Sequence, residues 1–172
     1  MITRMKSAGF SLLEVLITIL LITVGVLGMV AMQGKAIQYT QDSVERTYAA
    51  SLAYELLDII RATPSELYKD NSPYLFSSLP SSVTGTCFDL SEAALSQQIG
   101  CWANRTRTLL PGADSLGEHF TSCFSTEPGV CDDNGAALEI RMAWNASGEG
   151  CLDSDGEDLE ASLCTFTFRS QI

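Results

Sequence analysis

The chain opens on one long apolar stretch and changes character twice before its end. From Val15 to Gly34, twenty consecutive residues carry no charge. At ~1.5 Å per helical residue, such a run spans roughly the 30 Å hydrocarbon core of a bilayer. The pattern predicts a single membrane-crossing helix. Past Lys35 the apolar positions Ile37, Val44, Tyr48, Leu52, Leu56 and Ile60 recur mainly in steps of four, with Leu57 and Ile59 widening the stripe. Asp42, Glu45, Arg46, Glu55, Asp58 and Arg61 fall mostly outside it, so the same helix is expected to continue in amphipathic form. Pro64 closes it, because proline cannot extend a helix and disfavours helical geometry in the residue before it. A helix from about Phe10 to Ala62 is ~80 Å long at 1.5 Å per residue. Its first half suits lipid or a fibre core, and its second half needs a domain to lie on.

Gly25 and Gly28 interrupt the apolar half, each costing ~1 kcal/mol of helix propensity relative to alanine. They read as small-residue contacts between apolar helices or as weak points where the helix unwinds. With no proline between Phe10 and Pro64, the packing reading is preferred.

Beyond the helix the pattern becomes polar and loop-rich. Ser91 is expected to cap a second helix with Glu92 in its first turn, and Leu95, Ile99, Trp102 and Leu109 on one face, until Pro111-Gly112 ends it. Two later segments alternate with period two. Leu138, Ile140, Met142 and Trp144 point one way and Glu139, Arg141 and Ala143 the other; Cys164, Phe166 and Phe168 alternate with Thr165, Thr167 and Arg169. Phe120 to Phe124 is a weaker strand. The expected solution is an α+β fold in which a small antiparallel sheet covers the stripe from Val44 to Ile60.

All six cysteines, at positions 87, 101, 123, 131, 151 and 164, lie in this second part. An even count behind an export signal argues for disulfides formed in an oxidising compartment. Six cysteines allow 15 pairings, and the expectation is that sequence neighbours pair: Cys87 with Cys101, Cys123 with Cys131 around the turn-forming Glu127-Pro128-Gly129, and Cys151 with Cys164. Zinc is disfavoured, because there is no C-x-x-C and the only histidine, His119, has no ligand-like spacing.

The head of the chain decides the biology. Arg4 and Lys6, with no acid before Glu14, make a positive-inside flank. The apolar run is too long for a cleaved secretory signal and lacks a small-residue cleavage site after it; the small residue, Gly9, precedes it instead. Gly9-Phe10-Ser11-Leu12-Leu13-Glu14 resembles the processing site of type IV prepilins and their relatives. The resemblance implies cleavage between Gly9 and Phe10 by a membrane prepilin peptidase, methylation of the new Phe10 amine, and retention of the apolar helix. An uncleaved signal anchor is the plainer reading of the same residues.

A carboxylate at the edge of an apolar helix costs a few kcal/mol and is read with a partner in mind. Cleavage creates one. The Phe10 amine lies four residues before Glu14, and a neighbouring subunit offers an identical amine, so assembly would neutralise a buried charge.

Residues 8 to 62, including Ile22 to Met32, Gln33-Gly34-Lys35, Ile37-Gln38-Tyr39 and Asp42-Ser43-Val44-Glu45-Arg46, resemble PilV-type minor pilins, with a looser likeness further on. That implies a pilin fold with a disulfide-stabilised domain, in four parts: a cleaved leader (1–9), a membrane or fibre-core half-helix (10–35), an amphipathic half-helix (36–63) and a periplasmic or extracellular domain (64–172). The implied partners are other minor pilins, the major pilin, the prepilin peptidase and a tip adhesin. The implied location is the bacterial inner membrane before assembly and the fibre or its tip afterwards.

Charge narrows the remaining classes. Without Arg4 and Lys6 the chain holds 8 basic against 21 acidic residues, a net charge of −13. Nucleic-acid binding is disfavoured, since phosphate contacts need a basic surface. The densest acidic run, Asp153, Asp155, Glu157, Asp158 and Glu160, has oxygen donors suited to calcium but lacks the EF-hand order; a solvated loop is the expectation. No nucleophile elbow, P-loop or metal triad points to an enzyme, and no cofactor is expected. Three functions stay open: a minor pilin that primes type IV pilus assembly, a type II secretion pseudopilin, and a membrane-anchored binding domain or adhesin.

Overall fold

The computed structural model describes residues 10–87, 94–146, 151 and 163–172. Helix α1 runs from Leu12 to Ala62 and is followed by a single turn of 3-10 helix at Pro64–Glu66. Helix α2 spans Leu95–Leu109, and three strands follow: β1 (Thr121–Ser125), β2 (Ala137–Asn145) and β3 (Leu163–Gln171). The strands form one antiparallel sheet in the order β1-β2-β3. This is an α+β, pilin-like layout: a long N-terminal helix, a small antiparallel sheet, and disulfides Cys87–Cys101, Cys123–Cys131 and Cys151–Cys164.

The chain divides into two compact units, one ending at Tyr39 and one running from Thr40 to Ile172. In the first unit every described residue is exposed. The hydroxyls inside its apolar run return to their own helix, Thr18 Oγ1 donating to the Val15 carbonyl and Thr23 Oγ1 to that of Leu20, each at 2.8 Å. Within the apolar run these two hydroxyls are satisfied internally, as lipid requires.

The second unit has a conventional core. Leu52, Leu56, Leu57 and Ile60 from α1, Ile99 and Trp102 from α2, and Leu138, Ile140, Met142 and Trp144 from β2 are buried together. The Trp102 indole N–H donates to the Leu52 carbonyl at 2.9 Å, which satisfies the one polar atom of a fully buried ring.

Three sequence expectations need correction. The buried face of α1 is Asp42, Glu45, Ala49, Leu52, Ala53, Leu56, Leu57 and Ile60, whereas Val44 and Tyr48 are 44% and 41% exposed. Steps of four drift about 40° per step around a helix of 3.6 residues per turn, so a stripe drawn from Leu52 back through Tyr48 to Val44 rotates off the core. The two acids thought to lie outside the stripe are inside it, and the Trp144 indole N–H donates to Asp42 Oδ1 at 3.3 Å.

Strand β2 does not alternate in burial. Glu139 and Ala143 are as buried as Leu138 and Ile140. The β1–β2 connection reaches Glu139 from the outer face, as described below. Helix α2 begins at Leu95 with Ala94 in the N-cap position and no side-chain cap; Ser91 and Glu92 lie outside the described residues.

Candidate processing and assembly site

Phe10 and Ser11 precede α1, and the Ser11 carbonyl accepts the first helical bonds from the amides of Glu14 (3.0 Å) and Val15 (3.3 Å). Glu14 therefore sits in the first turn, where the unpaired amides of a helix start favour a negative charge. Phe10 is 81% exposed, and the large apolar side chains from Leu12 to Met32 are all exposed as well. Among the described residues no group reaches the Glu14 carboxylate. Gly9, on the other side of the expected junction, lies outside the described residues. At Gly25 and Gly28 an added Cβ would meet nothing within 4 Å in this chain. Both positions therefore leave room for another helix.

The other sequence-nominated residues fall elsewhere. Asp153, Asp155, Glu157, Asp158 and Glu160 lie outside the described residues. His119 ends a 3-10 turn at Gly117–His119 and is exposed.

What sequence reading missed is a polar clamp under the β1–β2 connection. Glu139 is fully buried; its Oε2 accepts the Gly129 amide at 2.8 Å and its Oε1 lies 3.6 Å from Arg141 Nη2. Arg141 in turn donates to the Gly129 carbonyl at 3.0 Å, so one residue is held by both its N–H and its C=O. Arg169 reaches across from β3 to the carbonyls of Ser125 and Thr126 at 2.9 and 2.7 Å. Asp132 accepts the Thr126 hydroxyl and the amides of Thr126 and Asn134. The Thr126 hydroxyl bond first, then the backbone amides, hold its carboxyl below the usual carboxylate value. Gly135 has φ +98°, and a Cβ there would stand 2.6 Å from the Ser125 carbonyl oxygen. Glycine is required at that close approach. Only the alternation of acid and base at Glu139 and Arg141 hinted at this cluster, and it reads equally well as a solvated sheet face.

On the helical side, Arg105 of α2 pairs with Glu55 at 2.6 Å. Burial nevertheless raises the Glu55 carboxyl above its usual value, and Arg105 only partly opposes the shift.

The described chain thus combines an exposed apolar helix, long and apolar enough to cross a membrane and with a carboxylate in its first turn, with a disulfide-bonded α+β unit. Residues 4–30 match the family model described as the prokaryotic N-terminal methylation motif. The match supports a type IV pilin-like protein, pilin or pseudopilin, processed by a prepilin peptidase and assembled with other pilins. The motif and the apolar helix fit membrane anchoring ahead of assembly. No curated protein and no solved structure matches the chain.

Proposed function

We propose that this chain is a minor pilin that joins other minor pilins to prime type IV pilus assembly and takes a place at the fibre tip. One observation carries the reading: Glu14 stands five residues past Gly9, at the start of a helix whose apolar first half is entirely exposed. In lipid such a carboxylate is costly and calls for a cationic partner. The methylated Phe10 amine of an adjacent subunit supplies that charge once the leader has been removed. Assembly then relieves an unfavourable charge and covers an apolar surface in the same step.

A type II secretion pseudopilin shares the processing motif and the helix, and it is the competing reading. Deleting the chain and assaying surface motility beside enzyme export separates them. The minor-pilin reading expects motility and surface pili to be lost while secretion persists; loss of secretion with intact pili would overturn it.

A further inference from the structure

The β1–β2 connection holds the one Asn-Gly pair of the chain. Of the four asparagines, Asn71, Asn104, Asn134 and Asn145, only Asn134 precedes a glycine. The fold keeps that glycine in place, because Gly135 has φ +98° and a Cβ there would stand 2.6 Å from the Ser125 carbonyl oxygen. No side chain can therefore shield the peptide nitrogen that follows Asn134. Both residues are exposed.

The hydrogen bonds leave the two reacting groups of this pair available. Asn134 is fastened to Asp132, its amide N–H donating to Oδ1 at 3.1 Å and its side-chain Nδ2 to the main-chain carbonyl at 2.7 Å. Its Oδ1 accepts from no group among the described residues, so at this exposed position water is the donor that polarises Cγ. The Gly135 N–H likewise finds no acceptor among the described residues. An amide tied into a helix or ladder keeps its proton, whereas an exposed unbonded one releases it readily to solvent base. The other asparagines differ on both counts. Ser72, Arg105 and Ala146 each follow with a Cβ. The Ser72 amide is also bonded to the Lys69 carbonyl at 3.1 Å, and Arg105 lies within α2.

We propose that Asn134 is a modification site, at which the folded chain deamidates through a cyclic imide and thereby loosens the clamp over Glu139. Hydroxide removes the Gly135 amide proton, and the nitrogen electron pair attacks Asn134 Cγ. The new N–C bond closes a succinimide ring as the Cγ–Nδ2 bond breaks. Nδ2 leaves as ammonia, taking a proton from water and returning the hydroxide. Water then adds to one of the two ring carbonyls. Opening at Cγ leaves aspartate; opening at the main-chain carbonyl leaves isoaspartate, with the chain running through Cγ and one methylene longer. Asparagine and water thus give an acid and ammonia, with nothing oxidised or reduced. Either product loses the Nδ2 donor and sets a carboxylate against the Asp132 carbonyl and beside Asp133. Isoaspartate also displaces Gly135 where it has no spare room against Ser125. The Ser125 carbonyl accepts Arg169 Nη2 at 2.9 Å, and the Thr126 amide donates to Asp132 Oδ1 at 3.3 Å, so both bonds weaken. This inference rests on the loop and is independent of the pilus assignment.

The test incubates the full-length wild-type chain in detergent at neutral and at mildly alkaline pH, with a reduced and denatured sample alongside. Peptide mapping by electron-transfer fragmentation distinguishes asparagine, aspartate and isoaspartate at each position. In the folded chain Asn134 should convert at least tenfold faster than Asn71, Asn104 and Asn145, and no more than tenfold slower than in the denatured sample. Its rate should rise in proportion to hydroxide, and both acids should appear. Converted chains, separated from fresh ones by ion exchange, should exchange the Thr126 amide hydrogen at least threefold faster. A smaller margin over the other asparagines would overturn the inference, as would a folded chain protected beyond that limit. Aspartate without isoaspartate would refute the imide route, and unchanged exchange at Thr126 would refute the loosening.

Discussion

Helix α1 places two kinds of surface on one element. Up to Tyr39 it buries no residue, while from Asp42 onward it buries eight, six of them apolar. The apolar half is uniform around its circumference, and the amphipathic half is sided. A helix apolar all round belongs in lipid or among other helices, and a sided one belongs on a folded core. The difference separates two sources of stability. The second half draws on packing within its own chain, and the first depends on what surrounds it.

The largest expected effect breaks the comparison at its first half. Glu14→Ala should leave leader cleavage and the thermal unfolding of the disulfide-bonded unit unchanged, yet abolish incorporation into fibres, read by immunoblotting of sheared surface material. Normal incorporation would remove the charge-relief mechanism. At the second half, Leu56→Ala opens a cavity between α1 and the sheet, because Leu56 is completely buried. It should cost about 2–5 kcal/mol, seen as a lower unfolding midpoint of the full chain in detergent, with membrane insertion unaffected.

Smaller effects belong to the polar clamp. Glu139→Ala leaves the Gly129 amide without its buried acceptor and removes the carboxylate beside Arg141, and it should cost about 1–3 kcal/mol. Hydrogen exchange at the Gly129 amide should accelerate by at least tenfold, and Glu139→Gln, which keeps an acceptor oxygen, should recover part of the protection. The smallest effect is that of pH. Because the Asp132 carboxyl is held below its ordinary value of 3.8, its contribution is fully present above that value. It is lost as pH falls through the lowered value. Amide shifts of Thr126 and Asn134 should therefore titrate below pH 3.8, and a midpoint above it would contradict the loop geometry.

Much of this architecture was legible because the strongest signals are periodic. The uncharged run of Val15 to Gly34 and the stop at Pro64 frame α1, whose observed end at Ala62 is the one expected. The alternation in Cys164 to Arg169 survives in β3, where Thr165, Thr167 and Arg169 are exposed and Cys164 is buried. Periodicity failed where tertiary contacts override it. Asp42 and Glu45 look like surface residues until Trp144, about a hundred positions away in the chain, is known to bond to Asp42. Glu139 looks like the wet face of a strand until Gly129 folds back onto it. The N-terminal methylation motif over residues 4–30 was readable for a different reason. A small residue, an aromatic and an acid at fixed spacing before an apolar run form a local chemical signature that needs no tertiary contact to be recognised.

Charge relief on assembly depends on Phe10 becoming a free, methylated amino terminus that reaches Glu14 of a neighbour. Intact-mass measurement of the chain recovered from fibres tests this directly. A polypeptide beginning at Phe10 with one added methyl group is the predicted result, and a polypeptide that still carries Met1 to Gly9 would contradict it.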